Sequence, residues 1–267
     1  MTSAEVRPRS RRSGLRRTES PREPVNDFSG VHACGRGIRA FLAAAGLLLF
    51  AAFSPVKAEI GPCLPDRDNG LTCGQGAGAA RVVEGTTSPS KHLAFAWRSP
   101  GRPPTDAADG GTVESLLIRL SDGAVLSSLP GDYWRVGDMV ANHIDETAAW
   151  SPSSRFVVET TDLKWETKYV RLYAIGTDDK VLVLDLKPII EPAVRKHLRQ
   201  LVRNEPAFTF PIERLTIDDR GLIKALVLMQ IPKQDRDVEL DVALKVAPND
   251  GGLAARDISV RRSRAKP

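Results

Sequence analysis

Three stretches of the chain open on a tight turn and then run into apolar sequence: SPSKHLAFAWR from Ser88, SPSSRFVVETT from Ser151 and, more faintly, DDRGLIKALVLMQ from Asp218. Their starts lie 63 and 67 residues apart, a spacing that implies one supersecondary unit built three times. Ser-Pro and Asp-Arg-Gly clusters initiate turns, and the segments that follow, such as 93–98 and 156–161, are rich in residues that suit a pleated, half-buried surface. A hairpin signal comes next in the first two units: 116–120 turns at Ser121-Asp122-Gly123 into 125–129, and 169–175 turns at Thr177-Asp178-Asp179 into 181–186. In the third unit, 238–246 and 258–261 supply the later strands. The expectation is a mainly β fold of antiparallel sheet repeats, laid out as an open sheet, a sandwich or an incomplete propeller, with one amphipathic α-helix.

That helix is expected near 191–204, with Pro192 at its first helical position and Glu205-Pro206 ending it. Val194, Leu198, Leu201 and Val202 fall on one face at helical spacing, and Arg195, Lys196, Arg199 and Arg203 fall on the other. No acid lies between Glu191 and Glu205, so the polar face reads as wholly cationic. Such a face is either solvated or a contact for anionic lipid headgroups or an acidic partner.

The N-terminal region follows a different grammar. Residues 40–53 form a run of 14 without a charge, preceded by Arg36 and Arg39 and followed by the small-residue site Val56-Lys57-Ala58. That is the order of a secretory signal peptide, and the run is shorter than the about 20 residues a membrane-spanning helix needs. Residues 1–39 then read as a basic, disordered leader, 40–58 as the h-region and cleavage site, and 59–85 as a disulfide loop and spacer. Residues 86–262 form the β-rich domain, and 263–267 a basic tail. Ser10–Arg16 partly matches a twin-arginine export signal but lacks its usual aromatic. The chain has no Asn-x-Ser/Thr sequon, which favours a bacterial periplasm as the destination. An inner-membrane anchor is the alternative if the signal is not cleaved; after cleavage no stable transmembrane helix is expected.

Charge changes sign with the leader. The first 58 residues hold 10 of the 38 Lys and Arg but only 4 of the 33 Asp and Glu, so the remaining 209 carry 28 basic and 29 acidic side chains. The formal charge of +5 therefore becomes −1, and nucleic-acid binding loses its support.

Cysteine use agrees with export. Beyond the leader only Cys63 and Cys73 remain, in CLPDRDNGLTC, and an even pair at short range in an oxidising compartment forms a disulfide. Asp66, Asp68 and Asn69 within that loop hint at calcium, but Gly70 and Ala77 stand where an EF-hand needs ligands. No metal and no cofactor are expected.

Motifs for catalysis are sparse. Ser88-x-x-Lys91 matches the nucleophile motif of penicillin-binding proteins without its Ser-Asp-Asn and Lys-Thr-Gly companions, and its place in a repeated turn explains it more simply. His143-Ile144-Asp145-Glu146 reads as an exposed polar loop, and GQGAGA (74–79) as a flexible spacer with no helix after it to cradle a phosphate. Trp97 and Trp150 read as sheet packing, whereas Tyr133 and Trp134, adjacent in a Gly- and Pro-bounded loop, form a candidate interaction surface.

The turn-then-strand units, carried by Trp150-Ser151-Pro152-Ser153-Ser154-Arg155-Phe156, by Ser88-Pro89-Ser90-Lys91 and by the Asp122-Gly123 hairpin, resemble the blades of TolB-like and WD40-like β-propellers. The resemblance implies blade-like antiparallel sheets. The period is longer than the roughly 40–45 residues of a WD40 blade, and three units are fewer than the typical 4–8 blades of a closed ring. Propellers host binding and catalysis alike, so the resemblance implies no activity. The sequence therefore predicts an exported, non-enzymatic module that binds a protein partner or an anionic envelope surface. The alternative is a periplasmic hydrolase built around His143 or Asp145.

Overall fold

The computed structural model describes residues 59–66, 69–99, 101–104, 113–132, 145–163, 166–201, 209–230 and 237–263. Within them the chain forms three antiparallel meanders in sequence order. The first sheet runs β1 (Cys63–Pro65), β2 (Leu71–Cys73), β3 (Ala80–Val82), β4 (Leu93–Arg98), β5 (Val113–Arg119) and β6 (Val125–Gly131). The second runs β7 (Asp145–Trp150), β8 (Phe156–Asp162), β9 (Thr167–Ile175) and β10 (Val181–Asp185). After the helix α1 (Lys187–Leu201) comes the third: β11 (Ile212–Ile217), β12 (Leu222–Gln230), β13 (Asp237–Asn249) and β14 (Gly252–Arg262). The sheets are open and mainly β, as the turn-and-strand pattern predicts.

Side-chain alternation decides which faces meet. Along β8, Val157 points to the first sheet, where it packs with Phe95, Leu117 and Tyr173, while its neighbour Val158 points to the third. There Val170 and Leu172 join Ile223, Val227, Leu240 and Val242 in the main core. The second sheet is thus covered on both faces, and that is why FVVETTD is buried through its middle. The first sheet curls over on itself at its N-terminal end: Cys63 N–H donates to Leu120 O at 3.3 Å and Ile60 N–H to Gly123 O at 3.1 Å. Cys73, Ala80, Ala96, Leu116 and Ile118 fill the space enclosed.

The repeat is visible at atomic detail in the three turns. Ser88 N–H donates to Leu93 O at 2.8 Å, and its hydroxyl accepts Leu93 N–H at 3.1 Å. Ser151 repeats both bonds with Phe156, at 2.8 and 3.2 Å. Asp218, in a turn one residue shorter, repeats them with Leu222, its carboxylate standing in for the serine hydroxyl. The third residue onward has positive φ each time: Lys91 at 59°, Ser154 at 62° and Gly221 at 74°. Only at Gly221 does a neighbour forbid a side chain, because a Cβ there would sit 2.4 Å from Val246 O. Successive turns are also tied together, Ser90 N–H to Ser154 Oγ at 3.1 Å and Ser153 N–H to Asp219 Oδ1 at 2.9 Å.

The helix differs from expectation at its start. It begins at Lys187 and carries Pro192 inside rather than at its first position. Leu186 supplies the first carbonyl, accepting from Ile189 and Ile190 N–H at 3.0 and 2.9 Å, and Asp185 Oδ1 accepts Lys187 N–H at 3.1 Å. Proline lacks the N–H that would return to the Pro188 carbonyl; burial of Leu186, Ile190, Val194 and Leu198 in the main core holds the segment helical across that gap. Among the described residues no helix is long and apolar enough to cross a membrane.

Candidate functional site

Between the first and second sheets lies a cluster of ionisable groups sealed from solvent. Alternation turns Glu146 of β7, Glu159 of β8, and Arg171 and Tyr173 of β9 to the same side as Ala148 and Val157, where they face Ser115 of β5. Glu159 is 0% exposed and Glu146 5%. The Ser115 hydroxyl donates to Glu159 Oε1 at 3.0 Å and lies 3.4 Å from Glu146 Oε1, and the Tyr173 hydroxyl donates to Glu159 Oε2. Arg171 Nη1 stands 3.6 Å from Glu159 Oε1, and Nη2 donates to Pro130 O at 2.8 Å. The guanidinium lies 4.0 Å over the Tyr169 ring.

Burial pushes the Glu146 carboxyl well above its usual range, and the neighbouring Glu159 charge pushes it further. Glu159 is raised by burial too, but Tyr173, Arg171 and Ser115 all oppose the rise. Glu159 is therefore the acid whose hydrogen-bond and charge partners favour the carboxylate, and Glu146 is the one held toward its protonated form. Burial and the Glu159 carboxylate raise the Tyr173 phenol, so it remains a donor. Two neighbouring carboxyl groups held toward different protonation states form a general acid/base device wherever a substrate can reach them. Here the surrounding side chains close the pair off, and its chemistry is to join two sheets.

A second feature is the groove of about 510 Å³ between β7, β8 and β11, lined by Thr147, Thr160, Asp162 and Glu213 among others. Asp162 accepts the Thr167 hydroxyl at 2.5 Å, and Thr167 Oγ1 in turn accepts Ile212 N–H at 2.9 Å, linking second and third sheets. Burial raises the Asp162 carboxyl, with smaller pushes from Asp145 and Glu213. Among the described residues no group of three His, Cys, Asp or Glu is placed to hold a metal ion. Asp66, singled out as a calcium hint, instead accepts Gly70 N–H and the Thr72 hydroxyl and pairs with Arg81 at 3.3 Å.

The residues predicted from sequence fare unevenly. Cys63 and Cys73 form a disulfide across directly opposed positions of β1 and β2. Lys196 and Arg199 lie exposed on α1. Arg195 is half-buried and bonded to Glu191 at 2.7 Å; because the helix starts early enough to include Glu191, its polar face is not wholly cationic. Arg203, Tyr133, Trp134 and His143 lie outside the described residues. Asp145 and Glu146 are not a polar loop: both belong to β7, Asp145 exposed and Glu146 buried. Ser88 is buried in its turn, its hydroxyl bonded to Leu93 N–H and Ser90 Oγ. Residues 76–78 of the expected spacer form a 3-10 turn closed by Ala79 N–H to Gly76 O at 3.2 Å. Sequence reasoning missed the Ser115–Glu146–Glu159–Arg171–Tyr173 cluster. The available signal was Glu159 itself, one charge at an inward position of an otherwise buried strand.

These contacts define a class of protein: three stacked antiparallel meanders pinned by an internal polar cluster and braced by one helix. No family model matches the chain, and no curated protein sequence matches it.

Proposed function

We propose that the chain is an exported, periplasmic β module that works by binding rather than by catalysis. The observation that carries this reading is the burial of Glu159, Glu146, Ser115 and Tyr173, at 0 to 5% exposure. The cluster with the most acid/base potential offers nothing to a substrate, while charged groups such as Lys196 and Arg199 stand at the surface. On this reading residues 1–39 are a basic leader, 40–58 a cleavable signal, and the three meanders a short run of propeller-type blades that does not close. Partners are a protein or the anionic envelope surface, met by α1 through Lys196 and Arg199, with Arg203, Tyr133 and Trp134 as further contact residues expected from the sequence.

In-cell cross-linking and co-purification of the tagged protein, compared between wild type and Lys196→Glu/Arg199→Glu, tests the reading against an unrelated exported control. A specific partner lost in the variant supports it. Enrichment no greater than the control removes it. Fractionation of the same cells checks the compartment, with retention in the cytoplasm counting against export.

A further inference from the structure

The two ends of the stack differ. At the first sheet, the N-terminal strands fold over the outer side. At the third, no described residue covers the outer side, and its surface is set by the register of four strands. Arg214 lies opposite Leu226, Leu226 opposite Asp241, and Asp241 opposite Arg261. In the next row Thr216 lies opposite Lys224, Lys224 opposite Ala243, and Ala243 opposite Ser259. Lys245 then faces Arg256 directly across β13 and β14.

This is not the mixed surface of a solvated end. A terminal sheet needs only polar side chains of both signs interspersed to stay in water. Here Asp237 and Glu239 gather at one end of β13, leaving Arg214, Lys224, Lys245, Arg256 and Arg261 with Asp241 in their rows and Asp257 exposed next to Arg256 where β14 shifts register. Arg261 pairs with Asp241 at 3.4 Å; the other four cations pair with no described acid. Like charges directly opposed on neighbouring strands, as at Lys245 and Arg256, disfavour the sheet. The 209 residues beyond 58 carry a net charge of −1, so the excess is local to this face.

Shape narrows the occupant. Arg214, Thr216, Lys224, Asp241, Ser259 and Arg261 line an open groove of about 420 Å³ across the strands. A planar lipid surface leaves a groove unfilled, whereas an extended chain lies in it. Cations beside the Thr216 and Ser259 hydroxyls match carboxylates, which accept from both kinds of donor. We propose that the outer face of the β11–β14 sheet docks an extended acidic segment, rich in Asp or Glu, of a partner protein. The proposal rests on the reading of the chain as a binding module, and names a surface for it distinct from that of α1.

Fluorescence anisotropy of a labelled oligo-glutamate peptide titrated with the full chain tests it. Wild type, Arg214→Glu/Lys224→Glu, Lys245→Glu/Arg256→Glu and Lys196→Glu/Arg199→Glu are compared at low and high salt. The expected result is binding that weakens with salt, falls at least about tenfold in both sheet variants and is unchanged in the helix variant. All of these positions are exposed, and Arg214→Ala/Lys224→Ala gives the same readout with less charge perturbation. Wild-type affinity in the sheet variants overturns the proposal, as does absence of peptide binding or tighter binding to anionic vesicles or an oligonucleotide than to the peptide. Loss in the helix variant alone overturns it while leaving the binding reading standing, and failure of co-purification removes the binding reading itself.

Discussion

The Ser115 hydroxyl donates to Glu159 Oε1 at 3.0 Å, across the interface of the first two sheets and 44 residues along the chain. One hydroxyl proton serves one acceptor at a time, so Glu146 Oε1, 3.4 Å from the same oxygen, is without a full partner whenever it is ionised. Its carboxyl is raised well above the ordinary value of 4.5 by burial and by Glu159. The folded state therefore binds a proton that the unfolded chain releases near 4.5, and stability falls as pH rises from there through the raised folded value. Glu146→Gln keeps the shape and removes the ionisation. At about pH 8 the variant is expected to be more stable than wild type by on the order of 1 to 3 kcal/mol, the cost of an under-satisfied buried charged group. Urea denaturation from pH 4 to 8 checks this, and an unchanged pH slope in the variant counts against a raised Glu146 carboxyl.

How much of this was legible in sequence depends on the range of the interaction. β4 and β8 follow strong local turns and begin where those turns imply, and the third unit's Asp218 does chemically what Ser88 and Ser151 do. β7 and β11 escaped because DETAAW and IERLTI carry too many polar residues to read as strands; tertiary burial overrides their composition. The early start of α1 escaped because a proline normally marks a boundary, and here the Leu186–Leu198 stripe outweighs it. The polar cluster escaped for a different reason. Its members meet only when two sheets stack, and no local period encodes which inward face Ser115 finds.

The three turns support a comparison of backbone strain. Lys91, Ser154 and Gly221 occupy one conformation, with φ between 59° and 74°, yet only Gly221 has a carbonyl 2.4 Å from where a Cβ would stand. Gly221→Ala is expected to cost about 1 to 3 kcal/mol. Lys91→Gly relieves a left-handed side-chain residue and is expected to be neutral or mildly stabilising. Thermal melts of both variants decide it. Equal losses would mean that the turns are not equivalent.

Helix α1 has two sides with opposite expected responses. Leu198 is 1% exposed within the main core beside residues of the second and third sheets, and Leu198→Ala is expected to cost about 2 to 5 kcal/mol. Lys196 is exposed, and Lys196→Ala is expected to stay within about 0.5 kcal/mol. Denaturant midpoints of the pair separate a helix integral to the stack from one merely resting on it, for which Leu198→Ala would be nearly silent.

The Cys63–Cys73 bridge ties neighbouring strands at the end of the first sheet that curls over its own outer side. Closing so short a loop is worth on the order of 2 to 3 kcal/mol by restricting the unfolded chain. The native contacts it supports are local: Cys63 N–H to Leu120 O, Gly74 N–H to Pro62 O, and Cys73 packed on Leu116 and Ile118. Cys63→Ser/Cys73→Ser is therefore expected to lower global stability by that amount and to speed amide exchange in β1 and β2 far more than in β8 or β13. Exchange that rises equally in all three sheets would instead show that the N-terminal hairpin and the distant sheets open as one unit, and that the bridge guards the whole stack.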